Sequence, residues 1–429
     1  MSARPEIPGG PILVVGLARS GQAAAKLLAG RGYQVVGADR GHPAGAQTLG
    51  DFGVDAHLGT DGVELLDRAS AVVKSPGVPN RAPVIAAAHD AGKTVVGELE
   101  LGWRLLPNRF VAVTGTNGKT TTIELLGEMF RAAGLPVVVA GNVGTPLCEI
   151  VGTLDPDTVV VCEVSSFQLE DAPCFNPECA VLLNLTPDHI DRHGTFEDYR
   201  DAKLSMFARQ GPGQFAIAGP MLGFVLPGAA TKIVARASDL AGMTVAMRGA
   251  HNLENAAAAA AAARVTGVAD DAIVLALATF AGVEHRMEDV GEFHGVSFVN
   301  DSKATNVAAT NAALGSFDGG VHVILGGSLK GERFGGLCDA LRSVGAGAYL
   351  IGEAAERLSG DLAPAGVPLY DCGTLDRAVS AAIAAAGPGD TVLLAPACAS
   401  FDQFADYEDR GASFKQIVDR LAGEVAGQR

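Results

Sequence analysis

The chain has 429 residues, 48% of them hydrophobic, with 55 glycines, which suggests roughly two to four domains with well-filled cores. A formal net charge of −16 opposes nucleic acid or an anionic membrane as partner, so any anionic ligand must be held by local lysines, arginines and backbone N–H groups. The seven cysteines (Cys148, Cys162, Cys174, Cys179, Cys338, Cys372 and Cys398) are scattered and lack a C-x-x-C pair, and no apolar stretch suits a secretory signal or membrane span, which together predict reduced thiols in a cytoplasmic chain.

In chain order, "PILVVGLARSGQAAAKLLAGRG" (11–32) reads as strand, turn and helix, and "YQVVGAD" (33–39) as a second strand. Short β-branched strands keep alternating with Ala/Leu-rich helices through "ASAVVKSPGVPN" (69–80) and "HDAGKTVVGELEL" (89–101), a parallel α/β layout. "LLPNR" (105–109) reads as a linker, because a fresh strand and a glycine turn follow it. A second α/β unit runs through "LPVVVAGNVGTP", "DTVVVCEVSSFQLE" and "ECAVLLNLTPDHIDRHG", with "NAAAAAAAARV" (255–265) helical by propensity. A third begins near "AGVEHRMEDV" and contains the strands "VSFVND", "GVHVILGG", "GAYLIG" and "DTVLLAPA". The expected architecture is α/β in three domains: 1–107 Rossmann-like, 108–282 P-loop ATPase-like and 283–429 Rossmann-like again.

"VTGTNGKTTT" (113–122) carries the strongest chemistry. Backbone N–H groups of Gly115, Thr116, Asn117 and Gly118 can face phosphate oxygens, and the following helix adds its N-terminal dipole. Lys119 supplies a point charge, and the Thr120 hydroxyl, next to Thr121, can ligate Mg²⁺. Val113 stands where a full Walker loop has its first glycine, so this is the shorter G-x-x-G-K-T-T form. "GLARSG" (16–21) fits a Rossmann turn with Ala18 at the middle glycine and Asp39 ending the next strand. A nicotinamide site is one reading; a nucleotide-shaped ligand other than NAD, met by Arg19 and Ser20, fits at least as well. Glu163 stands at a strand end as a Walker-B-type acid does. His189 and His193, four apart, leave a zinc pair open, and Lys203 by itself reads as a solvated helix lysine. "HRMEDV", "VNDSKATN", "LGGSLKGERF" and "PACASFDQF" all follow or flank strands of the third unit, where α/β folds bind ligands.

Taken together, "GTNGKTT", "GNVGTP", "EVSSFQLE", "DHIDRHG", "HNLEN" and "EHR" resemble the shared ATPase core of the Mur ligases, and the likeness spans nearly the whole chain. "NDSKATN", "GGSLKG" and "CASFDQF" are similar to the motifs of the member that adds D-glutamate. The resemblance implies ATP-dependent amide formation between UDP-N-acetylmuramoyl-L-alanine and D-glutamate through an acyl phosphate, by a cytoplasmic monomer that needs two Mg²⁺ ions. It further implies that residues 115–121 cradle ATP, with Asn255, Arg286, Asp301 and Lys303 also at the nucleotide. Thr120, Glu163, His189 and a carbamylated Lys203 would hold metal, and with Lys119 these form the expected catalytic set. Arg19, Ser20, Asp39, Arg40, Ser75, Gly77 and Asn142 would grip the UDP substrate, and Thr305, Lys330, Ser400, Phe401 and Tyr407 the D-glutamate. Arg19 and Tyr407 differ in type from the family residues at their positions, where backbone contacts survive the change.

Overall fold

The apolar runs of the sequence become parallel strands covered on both faces, which is why they read as unbroken hydrophobic stretches and not as alternating ones. The computed structural model describes residues 4–220, 222–247, 249–329, 331 and 333–426. The chain divides into two compact units, Met1–Ala241 with Glu254–Ala276, and Gly242–Leu253 with Leu277–Arg429.

The first unit holds two sheets. One is formed by β1 (Ile12–Val15), β2 (Val35–Asp39), β3 (Val54–Leu58), β4 (Ala71–Lys74) and β5 (Thr94–Gly97), in the order β3-β2-β1-β4-β5 and parallel throughout. Strand order reverses between β1 and β4, which opens a crevice at their carboxyl ends. The other is formed by β6 (Phe110–Thr114), β7 (Val137–Gly141), β8 (Val159–Glu163), β9 (Cys179–Leu182), β10 (Phe215–Ala218) and β11 (Thr231–Val234), in the order β11-β10-β9-β6-β8-β7. Every residue of β6, β8 and β9 is buried, so the loops at their ends are carried on the stiffest part of the sheet.

The helix Glu98–Leu105 packs between the two sheets' layers. Its Glu98 is buried and accepts a hydrogen bond from the Cys148 amide at 2.7 Å. Gly102 is required there, since a Cβ would lie 2.4 Å from that of Leu147. Lys74, at the end of β4, meets Asp171 at 2.6 Å with both side chains buried, and the Gly97 amide donates to the Asp171 carbonyl at 2.7 Å.

The second unit is built on β12 (Glu288–Phe293), β13 (Val296–Asn300), β14 (Val321–Gly326), β15 (Gly345–Ile351), β16 (Leu369–Gly373) and β17 (Thr391–Leu394), in the order β12-β13-β17-β14-β15-β16. One edge departs from the expected parallel layout: β12 runs antiparallel to β13. Its half-exposed, acidic sequence suits an edge strand. The two residues joining it to β13, His294 and Gly295, both have positive φ, the conformation of a tight hairpin turn. All seven cysteines are free thiols, five of them buried.

Candidate active site

The turn after β1 and the loop after β4 wall a cavity of about 190 Å³, lined among others by Gly16, Asp39, Arg40, Asp61, Gly77 and Val78. Gly16 has φ +84, and a Cβ there would come within 2.7 Å of Val78, so glycine lets the two loops close. Both Asp39 carboxylate oxygens are occupied, accepting from the Leu17 amide at 2.6 Å and the Gly41 amide at 2.7 Å. In this state Asp39 shapes the turn. Arg40 and Gly77 join Asp39 on the cavity wall, and Ser75 is buried at the start of the same loop. Arg19, the first residue of the helix Arg19–Gly30, makes instead a loose, exposed 3.8 Å pairing with Glu149, and Ser20 beside it is partly buried. Asn142 does not line this cavity; it follows β7 of the second sheet, where its side-chain amide donates to Glu163 at 2.9 Å.

The glycine turn follows β6 and ends where the helix Lys119–Ala132 begins. Gly118 takes the helix-capping position with φ +83, and a Cβ on it would lie 2.2 Å from the Asn255 side chain. Asn255 is thus brought against the turn although 137 residues separate the two. Two of the turn's N–H groups are committed to protein: that of Thr116 donates to the Asn184 carbonyl at 3.1 Å, and that of Asn117 to the Asn184 side chain at 2.9 Å. This corrects the expectation that the whole run from Gly115 to Gly118 faces phosphate. The Thr116 hydroxyl is braced in turn by the Tyr199 hydroxyl at 2.8 Å and the Thr186 amide at 3.1 Å. Lys119 folds back on the turn, donating to the Gly115 and Thr116 carbonyls at 3.0 and 2.8 Å.

At the end of β8 the buried Glu163 accepts from the Thr120 hydroxyl at 2.6 Å, and Thr121 packs buried beside it in the chain. A capping box between Ser165 and Gln168 starts the helix Ser166–Glu170 just past this carboxylate, fixing the strand end. Lys203 is only 2% exposed, on the helix Phe196–Ala208, with its ammonium donating to the Gly115 carbonyl at 2.9 Å and the Thr114 hydroxyl at 3.3 Å. It is no solvated lysine. Burial first, then the charge of Lys119, pushes its pKa well below the usual value, against the pull of Asp188 and Glu163.

His189 adopts a left-handed backbone (φ +53) and rests against the Phe167 ring at 4.8 Å. His193 is a different kind of residue. Its two ring nitrogens meet Glu170 at 3.0 Å and Ser166 at 2.9 Å, so both are engaged by protein and the zinc-pair reading fails. Among the described residues no three His, Cys, Asp or Glu side chains gather as a metal nest. A buried carboxylate touching a hydroxyl is nonetheless a hard-oxygen pair, which fits Mg²⁺: that ion takes one or two protein oxygens and completes its shell with water and phosphate.

In the second unit the loops after β13, β14 and β17 lie side by side. Asp301 is buried, accepts from the Met287 amide at 3.3 Å, and has its pKa pushed up to about 7 by burial, partly opposed by Arg286. The Lys303 ammonium sits 3.4 Å from the centre of the Tyr407 ring, a cation–π contact, and the Thr305 amide turns back to the Lys303 carbonyl. Ser400 is buried, whereas Phe401 is 72% exposed. Lys330 lies outside the described residues. Arg410, absent from the sequence expectations, is fully buried and holds this face together. Its guanidinium donates to the Ser302 hydroxyl and carbonyl and to the carbonyls of Cys398 and Ala399, all within 3.2 Å. An arginine ten residues beyond the "CAS" motif carries no signal of that role, but Tyr199 could have been found, four residues before Lys203 on one helix face.

Fold and site define a multi-domain α/β nucleotide-binding enzyme, with two Rossmann-like sheets and a third sheet that carries the phosphate-type turn. Residues 10–97 match the MurD-like Mur ligase N-terminal domain, 113–220 the Mur ligase middle domain, and 285–398 the Mur ligase glutamate ligase domain. The UDP-N-acetylmuramoylalanine–D-glutamate ligase of Acidobacterium capsulatum is 41% identical, with 99% of each chain covered, and that of Solibacter usitatus is 42% identical over 97% of this chain and 99% of that one. Among solved structures the fold is similar to the MurF ligase of Thermotoga maritima in complex with ADP (TM-score 0.60, 18% identity, 91% of this chain and 96% of that one). It is similar also to the MurC ligase of the same organism (TM-score 0.59, 17% identity, 96% and 99%). The chain therefore belongs to the Mur ligase family, in its group of UDP-N-acetylmuramoylalanine–D-glutamate ligases. It is an ATP-dependent ligase of peptidoglycan synthesis.

Proposed function

We infer that the enzyme joins the carboxylate of UDP-N-acetylmuramoyl-L-alanine to the amine of D-glutamate by way of an acyl phosphate, releasing ADP and phosphate, in the cytoplasm and as a monomer. The observation that carries this reading is the packing of Lys119, Thr120, Glu163 and the buried Lys203 around one phosphate-type turn. A carboxylate attacking the γ-phosphate brings anions together, and the site answers with positive charge and oriented N–H groups. Lys119 would leave its resting carbonyls and turn to the phosphates.

Thr120, Glu163, His189 and a carbamylated Lys203 would hold two Mg²⁺ ions, which supply charge neutralisation to the transferred phosphoryl group. Carbamylation needs a neutral amine, and the depressed pKa of Lys203 favours that form. In this reading Asn255, Arg286, Asp301 and Lys303 complete the ATP site, with Asp301 at the ribose. The first-sheet cavity takes uridine diphosphate, with Asn142 placing the muramoyl arm. Thr305, Lys330, Ser400, Phe401 and Tyr407 receive D-glutamate, and the domains divide at 1–107, 108–282 and 283–429.

The deciding assay is phosphate release with UDP-N-acetylmuramoyl-L-alanine and ATP, tested against D-glutamate, L-glutamate and L-alanine in turn. Release only with D-glutamate is expected. Equal release with L-glutamate or L-alanine would move the third-domain loops to another acceptor.

A further inference from the structure

The loop Ser75–Asn80 follows β4 of the first sheet, and the segment His189–His193 lies between β9 and β10 of the second; one side chain ties them. The Arg192 guanidinium donates to the carbonyl oxygens of Pro76 at 2.9 Å and Val78 at 3.1 Å, with that of Gly77 at 3.5 Å. Its other surroundings are the Phe167 ring, 4.3 Å away in a cation–π stack, and Glu170 at 3.8 Å. The same Phe167 ring carries His189 at 4.8 Å and lies nearly parallel to His193 at 5.3 Å. One cation therefore touches three consecutive carbonyls of a cavity-walling loop on one side. On the other it touches the ring that supports His189.

Adhesion between the two domains does not need this contact. The buried Lys74–Asp171 pair already joins them behind the same loop, and Lys74 also donates to the Val78 carbonyl at 2.8 Å. Gly77, Val78 and Pro79 line the cavity directly, so a ligand that shifts this loop moves the acceptors of Arg192. A planar guanidinium bonded to several carbonyls transmits such a shift as a rigid body, which a flexible ammonium does poorly.

We propose that Arg192 is a positioning residue that couples occupation of the first-sheet cavity by the UDP-linked substrate to the placement of His189. The inference rests on the assignments of the cavity to uridine diphosphate and of His189 to metal made above. By linkage the coupling is reciprocal: the UDP substrate tightens binding of the Mg²⁺–nucleotide, and the Mg²⁺–nucleotide tightens the substrate by the same factor.

The test is calorimetric titration of UDP-N-acetylmuramoyl-L-alanine into the full-length enzyme, with and without Mg²⁺ and a non-hydrolysable ATP analogue. Wild type should bind the substrate about tenfold tighter with the Mg²⁺–nucleotide present, within the usual range of such couplings. Arg192→Met keeps the stem over Phe167 but loses the carbonyl bonds, and should reduce that ratio to about 1, with Arg192→Lys in between. Phe167→Leu removes the ring from the same path, leaves the carbonyl bonds, and should lower the ratio as well. In turnover, both losses should appear in KM for the UDP substrate and in the Mg²⁺ requirement, with KM for D-glutamate unchanged. A wild-type ratio of 1, or weakened binding in Arg192→Met with the ratio intact, would overturn the proposal and leave Arg192 as simple adhesive. Failure of the wild type to bind the UDP compound at all would instead overturn the assignment of the cavity.

Discussion

A buried ammonium held by a carbonyl and a hydroxyl is an expensive way to fill space, and Lys203 keeps one directly behind the phosphate turn. When the ammonium gives up a proton and the neutral amine then adds CO₂ and releases a second proton, a carbamate of charge −1 stands where +1 stood. Lys203→Ala should therefore be nearly inactive yet folded, with formate or acetate restoring part of the turnover by occupying the vacated space. Lys203→Arg keeps bulk and charge and should resist rescue; a wild-type rate in either variant would return Lys203 to a structural role. Asp301 makes a second residue-scale case. Its folded pKa of about 7 lies above the ordinary 3.8, so the unfolded chain gives up this proton first as pH rises. Stability falls between about pH 4 and pH 7 and the deficit is complete above that, with a ceiling of about 4 kcal/mol. Asp301→Asn should melt higher than wild type at pH 8, converge with it near pH 4, and bind ATP more weakly. A melting gap of equal size at pH 5 and pH 8 would contradict this account.

Elements fix what single residues cannot, and the turn between β6 and the helix Lys119–Ala132 shows how. Gly118→Ala would force a side chain into a left-handed conformation, costing about 1–2 kcal/mol, and push its Cβ into Asn255, 2.2 Å away. The expected outcome is a lower melting temperature and a KM for ATP raised roughly tenfold, about 1.4 kcal/mol, while KM for D-glutamate holds. Unchanged ATP kinetics in the folded variant would separate Gly118 and Asn255 from nucleotide binding. The turn itself was legible in the sequence because phosphate binding needs its glycines, lysine and threonine within a few adjacent positions. Its braces were not. Asn184 and Tyr199 lie 67 and 83 residues from the groups they hold, and an asparagine in a strand exit or a tyrosine in a helix has many ordinary uses. Arg410 was hidden for the same reason, since its carbonyl partners carry no side-chain signature in any sequence. The antiparallel β12 escaped because its acidic, half-exposed residues lack the apolar run by which the buried strands announce themselves.

At the scale of the whole molecule, the alternation of strands and helices made the α/β class readable. The fusion of the first two sheets into one unit was not, because it depends on single contacts such as Lys74 with Asp171. Burial pushes the Lys74 pKa down and the Asp171 pKa up, each against the pull of the other, so desolvation outweighs the attraction on both sides. Such a pair specifies how domains dock more than it stabilises them. Asp171→Ala strands a buried ammonium and should cost about 3–5 kcal/mol. Lys74→Met combined with Asp171→Leu removes both charges, and Arg192 still donates to the Val78 carbonyl that Lys74 also serves. The double variant should come back to wild-type stability or exceed it. Urea unfolding followed by tryptophan fluorescence reads this interface directly, because the chain's one tryptophan, Trp103, is buried in the helix Glu98–Leu105 that packs between the two sheets. A double variant as unstable as Asp171→Ala would mean that the ion pair is itself a net source of stability, and that burial costs it less than the pKa directions imply.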